Sequence, residues 1–340
     1  MTLDAHAHVI VPDITREAGD GEDWRPRVHR DERGAQVVEM GGREIRSAIA
    51  EFVEIDGILA AQDEAGVDRV LLCPWVPLLY YDCDPDEGLR RARIQNEALA
   101  GLVLDHPDRV AALGALPLQD PGLAAAELRA LMEGGSLRGV EVAASVRGVF
   151  LGDDRFEPFW EAAEATGALV FVHPTTRGFD SPAFADYYLW NTVANPIETA
   201  ITAAHMVVAG VMESHPRLRV LLAHGGGALL AVRGRLRHAH GFQPQAKSRL
   251  RESPDASIQR FHFDTLTHDE ALLRALIDYA GPERVLLGTD YPFDMGDPRQ
   301  VDAVRTLGLA PEAEAAILAG NAERLLGLGL DRGRREETIK

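Results

Sequence analysis

A chain of 340 residues with 46 % hydrophobic and 26 % charged side chains can bury a large core, in either one barrel or two ordinary domains. With 35 basic against 53 acidic residues the formal charge is −18, which argues against nucleic acid or an anionic membrane as partner, and an anionic substrate would need locally placed Arg, Lys or metal. Cys73 and Cys83 are the only cysteines, so no disulfide framework is implied and a cytoplasmic protein is expected, without signal peptide or membrane span.

Short apolar segments recur along the chain and read as strands at 3–10, 67–75, 109–118, 137–145, 168–174, 218–225, 260–266 and 284–293. Several are nearly continuous Val/Leu/Ala runs, as suits strands covered on both faces. Helical patterns lie between them. Residues 53–66 place Ile55, Leu59 and Asp63 on one face and close on Gly66. Residues 121–135 open with Pro and end on paired Gly, and 154–167 and 269–281 read the same way. Strands alternating with helices in this number predict an α/β fold, a (β/α)8 TIM barrel, over 1–330. The competitor, a doubly wound sheet, lacks its glycine-rich phosphate turn after the first strand. Residues 11–50 read as an insertion, a small hairpin over the barrel mouth. Residues 177–217 read as a loop and a long helix, and 331–340 as a charged, frayed tail.

Residues i and i+2 of a strand share a face, so His6 and His8 in "LDAHAHVI" can both point inward. Alone, His-x-His is weak evidence for a metal. His173 closing the fifth strand, His224 closing the sixth and Asp290 closing the eighth add to it, because barrel enzymes keep their active sites at such strand ends. Buried imidazoles and carboxylates without partners cost on the order of several kcal/mol, and one divalent cation can serve them all. His6, His8, His173 and Asp290 are assigned as ligands. The donor set suits Zn2+, with Mn2+, Fe2+ or Co2+ as alternatives. His224 is set apart as the acid/base group, within reach of a metal-bound water. Asp264 could orient an imidazole from behind, whereas His262 on the same strand reads equally as core.

The order His-x-His, His, "AHGGG", "GTDYPF" and "GNAERLL" resembles the amidohydrolase superfamily, and within it the branch of aminocarboxymuconate-semialdehyde decarboxylase and related aromatic-acid decarboxylases. The resemblance runs from His6 to residue 328. It implies a single-metal (β/α)8 barrel, a homodimer, and non-oxidative decarboxylation of an unsaturated or aromatic carboxylic acid, in which Asp290 also shuttles a proton. His-x-His, rather than the Glu-x-His of some relatives, favours Zn2+. By the same resemblance, Arg46 (with Arg43 as fallback) and, from the partner subunit, Arg235 would grip the substrate carboxylate. Without the family, each reads as a solvated or salt-bridged residue. Phe293, Tyr188, Trp190 and Trp75 could stack on a flat substrate or pack at loop roots. "NPIET" at 195–199 reads as a helix start. Rival readings are a hydrolase of a lactone or amide, a hydratase, and a metal-free scaffold. Motifs at strand ends do not separate the reactions, since one barrel hosts many.

Overall fold

A computed structural model describes residues 1–15, 22–40, 43–175 and 181–328, with the Arg43 side chain left out. The tail expected at 331–340 lies outside the described residues. Thirteen strands are described: β1 (Leu3–Val9), β2 (Arg27–Arg30), β3 (Gln36–Met40), β4 (Arg43–Ile45), β5 (Arg69–Pro74), β6 (Val110–Ala112) and β7 (Gly139–Ala143). Then come β8 (Ser145–Val146), β9 (Val149–Phe150), β10 (Leu169–His173), β11 (Arg219–Leu222), β12 (His262–Asp264) and β13 (Val285–Leu286). All eight strands expected from the apolar runs are present, each shorter than its run.

Two parallel sheets carry them, in the orders β1–β5–β6 and β7–β10–β11–β12–β13. Backbone hydrogen bonds join the sheets at both seams. On one side Gly114 N donates to Gly139 O at 2.9 Å and Glu141 N to Gly114 O at 2.9 Å. On the other, Ala5 N donates to Leu287 O, Asp290 N to His6 O and His8 N to Tyr291 O, each at 2.8 Å. The last of these runs beside a parallel Ala7–Tyr291 bridge.

Helices separate the strands as expected. Residues 121–135 become the helix Pro121–Gly134, whose N-cap Asp120 accepts from Leu123 N and which stops on Gly135 at φ 71°. The pattern at 154–167 splits into a 3-10 turn, Asp154–Phe156, and the helix Glu157–Thr166. The stretch after the first strand holds more than a hairpin. β2, β3 and β4 form a three-stranded antiparallel sheet, and Asp294 N donates to Ser47 O at 2.8 Å just beyond it.

Face alternation sorts the core into two shells. Leu3, Ala5, Leu71, Cys73, Leu169, Phe171, Leu221 and Leu286 pack together on one side of the strands. Val140, Val142, Val170, Val172 and Val220 pack outward against helices. Burying each such side chain fully contributes about 1.5–3 kcal/mol. β1 breaks the alternation. Its pairing with β5 shifts register between Asp4 and Ala7. Ala7 and Val9 therefore join the outer shell, and His6 and His8 turn inward beside Phe171, whose ring lies 4.8 Å from that of His6. Such irregularities commonly re-aim side chains beside active sites.

Candidate metal centre

His6 and His8 are fully buried, His173 is 4 % and Asp290 5 % exposed, and a donor atom from each lies within 4.8 Å of all the others. Asp290 Oδ1 stands 3.2 Å from His6 Nε2 and 3.3 Å from His8 Nε2, and the two Nε2 atoms are 3.2 Å apart. Bonds of about 2.1 Å at tetrahedral angles would put donors about 3.4 Å apart, so the spacing fits one small divalent cation.

The second nitrogen of each ring fixes which lone pair faces inward. His6 Nδ1 donates to Asp264 Oδ2 at 2.6 Å, His173 Nδ1 to Pro174 O at 2.9 Å, and His8 Nδ1 points to Pro74 O at 3.4 Å. With the protons on Nδ1, the Nε2 lone pairs of His6 and His8 repel each other, and His173 Nε2 has no partner. A shared cation resolves both problems.

Electrostatics point the same way. Burial depresses His6, but Asp290 and Asp264 beside it prevail and raise it to about 10. Burial lowers His8, and burial with the neighbouring imidazoles holds His173 well below its usual value. Burial alone would raise Asp290, yet the His6, His224 and His8 contacts hold it well below the carboxylate range. The cation-free cluster therefore holds one extra proton, on His6 Nε2 in place of the repelling lone pair, which an incoming cation must displace. Metal binding is expected to release close to one proton at pH 7 to 9, and affinity should weaken as pH falls, because protons then compete. Calorimetry in buffers of different ionisation heat measures this, and uptake without proton release would contradict it.

His224 places Nε2 3.3 Å from Asp290 Oδ2. It opens a turn in which His224, Gly225, Gly226 and Gly227 all have positive φ, 57°, 60°, 77° and 58°. Asp264 holds that turn by accepting from His224 N at 2.8 Å and Gly225 N at 2.7 Å. A Cβ on Gly227 would meet Pro196 O at 2.1 Å, so the third glycine is a steric requirement.

Phe293 lies with its ring 5.3 Å from His8 and 5.3 Å from Phe52, and Trp75 stands 6.5 Å from it. Tyr188 bonds Asp294 through its hydroxyl at 2.9 Å and contacts Trp190 ring to ring at 5.0 Å. The two arginines are not drawn into the donor cluster. Arg46 is exposed and pairs with Asp31 at 3.0 Å and Glu44 at 2.8 Å. Arg235 is exposed on the helix Leu229–Phe242.

Sequence reasoning passed over two acids. Asp4 is fully buried, accepting from His6 N at 3.0 Å and Thr289 N at 3.1 Å, and burial raises it to about 6. Glu141 is fully buried on β7, 3.8 Å from His8 Nδ1, and burial raises it well above the carboxylate range. A charged residue at the inward parity of a Val-rich strand was the available signal for Glu141. The "NPIET" segment also does more than start a helix. Glu198 accepts from Thr175 N at 2.8 Å and Ser145 Oγ at 3.0 Å, tying together the loops after β10 and β7.

The amidohydrolase family model matches residues 3–328. The chain is 30 % identical to 2-amino-3-carboxymuconate-6-semialdehyde decarboxylase of Dictyostelium discoideum over 96 % of its own length and 92 % of that protein. The solved 5-carboxyvanillate decarboxylase of Sphingomonas paucimobilis superposes with a TM-score of 0.80 at 28 % identity, over 96 % and 98 % of the two chains. A dihydroxybenzoic acid decarboxylase of Polaromonas, solved with bound manganese, shares the fold at a TM-score of 0.77 and 23 % identity, over 96 % and 97 %. With its family model matched over nearly the whole length, the chain belongs to the amidohydrolase family.

Proposed function

We propose that this protein is a metal-dependent, non-oxidative decarboxylase of an aromatic or unsaturated carboxylic acid. The observation that carries it is the convergence of His6, His8, His173 and Asp290, spaced for one divalent cation, with His224 beside them. The decarboxylase activities of the relatives select this reaction over hydrolysis at the same kind of centre. The strands act as one (β/α)8 barrel of a single domain, 1–330, bearing the insertion 11–50 and the tail 331–340.

A bound cation, Zn2+ by its three nitrogens and one carboxylate or Mn2+ as in the Polaromonas relative, supplies Lewis acidity toward the substrate and its water. His224 Nε2 and Asp290 Oδ2 hold the proton that must replace the departing carboxyl on carbon. Phe293, backed by Phe52 and Trp75, forms an apolar wall for a flat substrate, and Tyr188, bonded to Asp294 and in contact with Trp190, adds further aromatic surface. Arg46, on leaving Asp31 and Glu44, and Arg235 of a homodimer partner are assigned to the reacting carboxylate. A cytoplasmic setting accords with two free cysteines, and no described helix is long and apolar enough to cross a membrane.

The test is carbon dioxide release by metal-loaded protein from γ-resorcylate, 5-carboxyvanillate and aminocarboxymuconate semialdehyde. Release that stops on chelation and returns with metal is expected for at least one of them. Hydrolysis of lactones or amides without any carbon dioxide would overturn the reading.

A further inference from the structure

A cavity of about 630 Å3 opens beside the metal centre, and one guanidinium in its wall, that of Arg147, pairs with no carboxylate among the described residues. We propose that this cavity is an anion subsite, in which Arg147 receives a second carboxylate, or a comparably charged group, on the substrate. The proposal rests on the decarboxylase reading for the group that reacts, and deepens it by assigning the residue that holds a second acid group.

Loops following β5, β7 and β10 build the wall, through Tyr81, Ser145 and Thr175 among others. The same loops touch the donor cluster. Pro74 O faces His8 Nδ1, Ala144 N donates to His173 O at 2.7 Å, and Thr175 comes two residues after His173. The ligand side chains themselves are not in the wall, so the cavity lies alongside the centre. A volume in the usual range for small-molecule sites accommodates a substituent beyond a single ring.

Arg147 forms the tip of the β8–β9 hairpin with Gly148, both left-handed at φ 50° and 78°. An Arg in that conformation costs about 1–2 kcal/mol, where Asn or Gly would be the easy choices. Its Nε donates to Tyr81 O and its Nη2 to Cys83 O, each at 2.7 Å. Both acceptors are neutral, and no carboxylate pairs with it among the described residues. The other arginine in the wall, Arg91, is paired with Glu87 at 2.7 Å and lies over the rings of Trp24 and Tyr80. The acids in the wall are Asp82, which has a partner of its own, and Glu198, which is bonded to Thr175 and Ser145. The Tyr81 hydroxyl is buried without a hydrogen-bond partner among the described residues, near the Ala143 backbone and Glu141, and burial keeps it protonated and able to donate. In a protein of net charge −18, an unneutralised guanidinium in a concave wall beside a hydroxyl donor is suited to an anion.

Binding of inert acids to the metal-loaded protein tests this by calorimetry, independently of turnover. The probes are isophthalate, terephthalate and cis,cis-muconate, each beside its monoacid counterpart. At least one diacid should bind at least about tenfold more tightly than its monoacid, as a charge-assisted bidentate contact allows. Arg147→Asn, which suits the left-handed turn, should reduce that preference to about threefold or less and leave the monoacid within about twofold. No diacid preference in the wild-type protein overturns the proposal. So does equal weakening of diacid and monoacid, which would mean that Arg147 only props the loop at Tyr81–Cys83. If the preference is present and lost in Arg147→Asn while no acid yields carbon dioxide, the subsite stands and the decarboxylase reading falls.

Discussion

Replacing His224 with alanine is expected to lower turnover by about 10²- to 10⁴-fold while leaving close to one metal equivalent bound. The four ligand donors face one another without it, and its Nε2 approaches the outer oxygen of Asp290 instead of the inner one. The proton that replaces the carboxyl group needs a donor at the cluster's edge, and His224 is the imidazole there with partial exposure, 16 % for its side chain. Alanine at φ 57° strains the turn by about 1–2 kcal/mol, so His224→Asn, which tolerates that backbone, serves as the companion variant. Metal content by atomic spectroscopy beside initial rates reads the outcome. If both variants lose the metal, His224 is a fifth ligand rather than the acid/base group.

Much of this site was legible because metal chemistry needs particular residue types at strand ends. His6 and His8 lie within the first apolar run, His173, His224 and Asp290 close or follow later ones, and each lands in the cluster or against it. Simple alternation gave the right face for His6 and His8, although by an incomplete route. The register shift in β1 leaves Leu3 and Ala5 in the inner shell above two inward histidines, and no residue in "LDAHAHVI" announces it. The strands themselves were readable as apolar runs, but their ends were not, since flanking apolar residues such as Leu113 and Leu116 pack just as well in extended loops. Arg46 shows the limit of positional reasoning. The resemblance puts it at a substrate-binding position, whereas its side chain pairs with the neighbouring Glu44 and with Asp31, which the β2–β4 sheet brings near. Glu141 was signalled only by a charge at the inward parity of "GVEVA", and its place beside His8 depends on how the strands assemble.

Asp264→Ala should cost the protein both its metal and its fold margin, because a single carboxylate there serves both His6 and the turn that opens at His224. It is fully buried and accepts from His6 Nδ1, His224 N, Gly225 N and Leu266 N. Burial pushes its pKa up, but the His6 hydrogen bond and charge, then the His224 charge, overcome that and hold it below its usual value, so it is ionised at neutral pH. Deleting it leaves two backbone donors of a left-handed turn unpaired and frees His6 to rotate or change tautomer. Loss of such an outer partner of a metal-binding histidine lowers metal affinity by about 10- to 100-fold. Breaking a buried charged network by removing one member destabilises by about 3–5 kcal/mol. Asp264→Asn separates the two effects. An amide oxygen can still accept from His6 or the turn, so stability should recover in part, whereas affinity should stay low because the neutral amide no longer strengthens the imidazole as a ligand. Competition with a chelator reads the first quantity and urea unfolding of the metal-free protein the second. An Asp264→Asn protein that binds metal as tightly as the wild type would show that Asp264 only braces the backbone and does not tune His6.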